Sequence, residues 1–180
     1  MTQKKIDKLI EQFKKDHIKY VSDKMLREGE MGPMITVLAM KKSNEKMGLV
    51  YAPIMGEFSE ERKEEVVSKV IPYLFEQMKE EDLIPYCFSF SSEVIMKVID
   101  TDKEEIPDDL SKIAGIDALL ITFETKTETS TKVFNMEKVG KAINEDGEMI
   151  DQIKLTYHEM PEGGSFGGRF TNIFKRYEQG

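Results

Sequence analysis

Met34-Ile35-Thr36-Val37-Leu38-Ala39-Met40-Lys41 is the stretch that decides the fold. In an extended chain its side chains alternate between two faces, and both sets are apolar: Met34, Leu38 and Met40 on one, Ile35, Val37 and Ala39 on the other. Such a strand needs cover on both sides, so it belongs inside a sheet and not at its edge. Before it, Glu28-Gly29-Glu30-Met31-Gly32-Pro33 ends a helix, because glycine accepts the left-handed cap and Pro33 pushes its predecessor out of helical geometry. That helix covers residues 4–28, where Ile6, Leu9, Ile10, Phe13, His17, Tyr20 and Val21 recur at helical spacing among lysines and acids. After it, the polar Lys42-Ser43-Asn44-Glu45-Lys46 leads to a second strand over 47–52, a hairpin stopped by Pro53 and Gly56.

A second helix starts at the N-cap Ser59, with Glu60 and Glu61 suited to its positive end. Val66, Val67, Val70, Ile71, Leu74, Phe75 and Met78 form its apolar stripe. Pro72 lies within it and predicts a kink near Ser68, at a cost of about 3 kcal/mol relative to Ala. Residues 86–90 predict a third strand, after which Ser91 or Ser92 is expected to cap a short helix carrying Val94, Ile95 and Val98. An acidic loop follows over 100–109. Beyond Gly115 the pattern is all strand: 117–125, a polar tip at 127–130, 131–139, then 152–158, with a tight turn at Asn144-Glu145-Asp146-Gly147-Glu148. The chain ends in a glycine-rich loop and a short amphipathic helix.

The expected architecture is α+β: a mixed or antiparallel sheet of about five to seven strands, two main helices packed on it and a short C-terminal helix. Both main helices are expected on one face, burying Ile10, Phe13, Val67, Val70, Ile71 and Leu74. Residues 1–161 read as a single domain and 162–180 as a glycine-rich arm with its terminal helix, an appendage ordered by a partner or by a second copy of the chain, the alternative being that the domain's own sheet covers the helix.

Composition sets the outer limits. The chain has 180 residues and a formal charge of -8, from 34 acidic and 26 basic side chains. A core of that size removes roughly 70% of the unfolded surface from water, so folding needs no metal or disulfide. Cys87 has no second cysteine to pair with, which fits a reducing compartment. No apolar run reaches the roughly 20 residues that cross a bilayer, so the expectation is a cytoplasmic protein, or one inside a viral particle, without membrane contact. Basic charge is nearly all lysine, since Arg27, Arg62, Arg169 and Arg176 are the only arginines. That usage suggests an AT-rich genome. A hyperthermophile would also be lysine-rich but sheds methionine, and 12 Met point instead to a mesophilic microbe or one of its phages.

Each candidate for chemistry is weighed against a plainer role. His17 falls on the apolar stripe of the first helix and reads as a core-edge residue; His158 alternates with Lys154 and Thr156 toward solvent. Neither HxH, HExxH nor a cysteine pair is present, so no metal site is expected. Cys87, in an apolar strand, behaves as a small hydrophobe. The junction Ser89-Phe90-Ser91-Ser92-Glu93 places hydroxyls where a helix would begin, yet lacks the glycines of a nucleophile elbow. Ser91, Ser92, His17 and His158 are therefore weak catalytic candidates. The Asn144 turn fails as a calcium loop, because Ala142 and Ile153 fall where its first and last ligands belong. Gly163-Gly164-Ser165-Phe166-Gly167-Gly168-Arg169 matches neither a Walker loop nor a dinucleotide fingerprint, and no cofactor is expected.

The acidic balance disfavours nucleic acid. Arg169, Phe170, Ile173, Phe174, Arg176 and Tyr177 combine residue types typical of interface anchors and apolar contacts. The leading expectation is a non-enzymatic interaction or structural component of a larger microbial or viral assembly, with a protein partner or a homo-oligomer. The alternatives are a small hydrolase or transferase near Ser91 and Ser92, and a small-ligand sensor with a Met-lined pocket.

Overall fold

Residues 2–55, 59–97, 114–144, 146–158 and 173–179 are described in the computed structural model of the chain. Helix α1 (Gln3–Glu28) precedes strand β1 (Met34–Lys41), which turns back as β2 (Lys46–Pro53). A broken helical rod follows, made of α2 (Glu60–Glu65), a π-helical turn (Val66–Val70) and α3 (Ile71–Glu80). Strands β3 (Leu83–Met96), β4 (Ile116–Glu124), β5 (Thr129–Ile143) and β6 (Met149–His158) come next, and helix α4 (Ile173–Gln179) is last. The strands form one antiparallel, six-stranded sheet in the order β2-β1-β3-β4-β5-β6, so the fold is α+β.

Local chemistry sets the ends of these elements. Gly29 closes α1 at φ 76, its N–H donating to the Met25 carbonyl at 3.0 Å. A Cβ at that position would stand 2.5 Å from the Asp151 carbonyl oxygen of β6. Gly29→Ala is therefore expected to destabilise the fold by more than about 1 kcal/mol, through both the left-handed backbone and the clash, and a denaturant titration measures it. Ser59 caps α2, its hydroxyl accepting the Arg62 N–H at 3.2 Å. Pro72 sits in the first turn of α3, and the interruption expected near Ser68 takes the form of the π-helical turn before it. Asn144 Oδ1 accepts the N–H groups of Asp146 and Glu148 at 3.1 and 2.8 Å, while Gly147 takes φ 83, and so joins β5 to β6.

The two main helical elements lie on opposite faces of the sheet, which corrects the expectation of a single covered face. On the front, α1 sets Phe13, Val21 and Met25 against Leu38, Cys87, Leu119, Ile121, Phe123, Phe134 and Ile153. On the back, Val66, Ile71, Leu74, Phe75 and Met78 pack on Ile35, Val37, Ala39, Phe88 and Phe90. The physical reason is already in β1, since a strand with two apolar faces needs a layer on each. Phe13, Ile71 and Leu74 are buried as expected, whereas Ile10, Val67 and Val70 are half-buried because they flank the contact stripes.

Strand β3 also runs further than its apolar core. No helix begins at Ser91 or Ser92: both are strand residues, Ser91 paired with Met34 of β1 and Ile121 of β4, and Ser92 with Leu120 of β4. The backbone ladders on both sides of Ser91, and the β4 ladder that continues past Ser92, outweigh the capping tendency of serine. The back layer is completed by α4, whose Ile173 and Phe174 are 2% and 4% exposed. The acidic loop expected over 100–109 and the glycine-rich loop expected over 163–169 lie outside the described residues.

Candidate functional site

Of the side chains singled out for chemistry, the fold brings His17 and Ser91 together. Phe13, His17 and Val21 follow one another at four-residue spacing on α1, which turns all three toward the sheet. Ser91 reaches the same front face by alternation from Cys87 along β3. His17 Nε2 and Ser91 Oγ stand 2.8 Å apart, hydrogen-bonded in a sense set by the imidazole tautomer. Phe13 and Phe123 wall the ring, with centroids 5.7 and 5.8 Å from it.

The distance is that of a nucleophile and its base, but the surroundings oppose that use. Ser91 is wholly buried and His17 is 4% exposed, so α1 covers the pair and a substrate carbonyl has no approach. Burial pushes the His17 ring down to a pKa of about 4. A ring that weakly basic is a poor acceptor for a serine proton near neutral pH. What the arrangement does is hold α1 against β3, each partner satisfying the other in a buried site.

The remaining candidates are scattered. Ser92 points to the back face, where its hydroxyl donates to the Glu93 carbonyl at 3.0 Å. His158 is half-buried at the end of β6 and faces the back with its register partner Val133, because the neighbouring pair, Phe134 and Tyr157, stacks on the front. His17 and His158 are thus on opposite sides of the sheet. Cys87 is wholly buried, and burial pushes its thiol up to about 12, as suits a packing residue. Among the described residues no three His, Cys, Asp or Glu side chains converge as metal ligands would.

The terminal residues divide in the same way. Ile173 and Phe174 are core residues of the back layer, with the Phe88 and Phe174 rings 4.9 Å apart. Tyr177 is half-buried, lies edge-on to Phe75 at 5.1 Å and donates its hydroxyl to the Leu83 carbonyl at 3.3 Å. The domain itself therefore occupies the apolar surface that sequence reading offers to a partner. Arg176 is half-buried, and Arg169 and Phe170 lie outside the described residues.

Three features escaped sequence reading. The first is Glu124, 4% exposed, whose Oε1 accepts the Phe174 N–H at 2.9 Å and so ties α4 to β4. The polar pair Thr122 and Glu124 on one face of an otherwise apolar strand was its only signal. The second is that Thr36 and Ser89, register partners on the front face, are wholly buried, and neither hydroxyl has a hydrogen-bond partner among the described residues. The third is a groove of about 560 Å³ between the start of α1, the start of β3 and the β4–β5 turn. Ile6, Ile10, Ile84 and Pro85 give it an apolar floor, with Asp7 and Lys126 at its rim, and no methionine lines it.

The outer strand β2 differs from all of these in being exposed. Leu49 is 46% and Tyr51 52% exposed, and with Tyr20 of α1, 42% exposed, they leave apolar surface at one end of the sheet. No charged residue falls between Lys46 and Pro53. The opposite edge, β6, carries Asp151 and Lys154. No family model matches the chain, and neither a curated protein nor a solved structure gives a match.

Proposed function

We propose that the protein is a non-enzymatic interaction or structural component that acts by joining a larger assembly. The observation that carries this reading is the outer strand β2, uncharged from Met47 to Ala52, with Leu49 and Tyr51 exposed on it. Free sheet edges recruit further strands, and proteins that stay alone blunt them with charge, proline or a covering segment. Edge pairing gives affinity through the main chain and selectivity through alternate side chains. The sealed His17 and Ser91 pair supports the same reading from the opposite direction, since the nearest approach to catalytic geometry among the described residues is enclosed and weakly basic.

The test has two arms on the full chain. A doubly substituted Leu49→Lys, Tyr51→Lys chain is expected to keep its far-ultraviolet CD spectrum, because both positions are half-open, yet to leave the high-mass fractions that the wild-type chain enters in extracts of its source cells. Unchanged migration would count against β2 as the interacting element. In the second arm, a fluorophosphonate probe is expected to leave the native chain unlabelled. Labelling that disappears in Ser91→Ala would establish the hydrolase reading instead.

A further inference from the structure

We infer that the strand completing this edge is β2 of a second copy, paired antiparallel about a two-fold axis through Leu49, so that two sheets become one. The inference rests on the interaction reading above and names its partner. Antiparallel self-pairing keeps side chains on matching faces only when the axis passes through a residue, because alternate residues point to opposite sides. With the axis at Leu49, Lys46 through Ala52 of one copy lie opposite Ala52 through Lys46 of the other. Pro53, which has no N–H to donate, then falls just outside the ladder. Moving the axis to Val50 would bring Pro53 opposite Met47 and lose a bond at each end.

Charge favours the same partner. The only charged residue of the ladder is Lys46, and the two lysines come to opposite ends, about 20 Å apart at the rise of an extended strand. That is beyond the screening length of about 8 Å at physiological salt, so self-pairing brings no like charges together. Met47 meets Tyr51 of the second copy and Leu49 meets its own counterpart, giving an unbroken apolar strip on the front face. Tyr20 flanks each end of that strip, close enough to Tyr51 to help raise its pKa, though burial of the Tyr51 phenol is the larger cause. A strand bearing charges at these positions would instead place them against Leu49 and Tyr51. The chain's own β2 supplies a complement of matched length that is uncharged from Met47 to Ala52.

Sedimentation equilibrium of the full chain across a range of concentrations tests this. Purified wild type is expected to form dimers and no larger species, because a two-fold edge contact closes on itself, and that dimer is then the unit that enters the high-mass fractions of the extract. L49K sets two ammonium groups against each other on the axis and is expected to raise the dimer dissociation constant roughly a hundredfold or more. L49E is expected to do the same, while an equimolar mixture of L49K and L49E recovers association to within about tenfold of wild type. Amide hydrogen exchange supplies a readout independent of the variants: protection over residues 46–52 should rise with wild-type concentration. A chain that stays monomeric with concentration-independent exchange overturns the second copy as partner, yet leaves the extract experiment free to support an interaction with another protein. A dimer indifferent to both Leu49 substitutions also overturns it, by placing the contact elsewhere.

Discussion

Phe174→Ala is expected to lower the stability of the domain by about 3–5 kcal/mol, the range for removing a buried aromatic side chain. Phe174 is 4% exposed, and its ring meets Phe88, which is itself wholly buried at the centre of the back layer. Truncation would leave a cavity bordered by Phe88 and loosen the turn in which Glu124 accepts the Phe174 N–H. Lys175→Ala, one residue on and exposed, is the control and should stay within about 0.5 kcal/mol of wild type. Chemical denaturation of both variants measures the contrast. An unchanged midpoint in Phe174→Ala would show that α4 adds nothing to this core and would return its apolar face to the list of surfaces available to a partner.

The second large effect is on acid stability. His17 is buried as the neutral ring, with its pKa pushed by burial from 6.5 to about 4. Between these values the unfolded chain binds a proton that the folded chain refuses, so stability rises with pH there. The sign is therefore fixed: the contribution is complete above pH 6.5, declines as the pH falls toward 4, and declines no further below it. At 1.36 kcal/mol per pH unit, the loss across that window is about 3 kcal/mol. His17→Gln keeps a hydrogen-bonding group near Ser91 and removes the titration. The difference in unfolding free energy between wild type and this variant should then shift by about 3 kcal/mol from pH 7 to pH 4, against the wild type. A difference that stays constant with pH would mean that the ring is charged or solvated in the folded state. Acid sensitivity of the carboxylates is common to both chains and cancels.

These two predictions concern residues whose importance was differently visible in the sequence. The apolar stripe of α1 fixes His17 as inward-facing, because helical spacing is a local property and Phe13 and Val21 stand one turn away on either side. The partner of His17 is not local. Ser91 lies 74 positions along the chain from it, and nothing in either segment announces the other. Serine there favours a cap on intrinsic grounds, and only pairing, with β1 and β4 through Ser91 and with β4 at Ser92, keeps residues 89–92 extended. Glu124 escaped for the same reason: the N–H that its Oε1 accepts is on α4, brought in by the packing of Ile173 and Phe174.

What the sequence determined by itself is most of the elements and several of their ends. The double apolar face of β1, the α1 stripe closed by Gly29, the cap at Ser59, the break before Pro72 and the turn at Asn144 are each written in residues a few positions apart. Short-range sterics and hydrogen bonding are sufficient to read them. What only the tertiary structure decided is which side of the sheet each helix covers, how far β3 extends, which polar groups meet in the core and which strands stand at the edges of the sheet. Those depend on contacts between segments distant along the chain, and periodicity within a segment carries no information about the partner that will cover it.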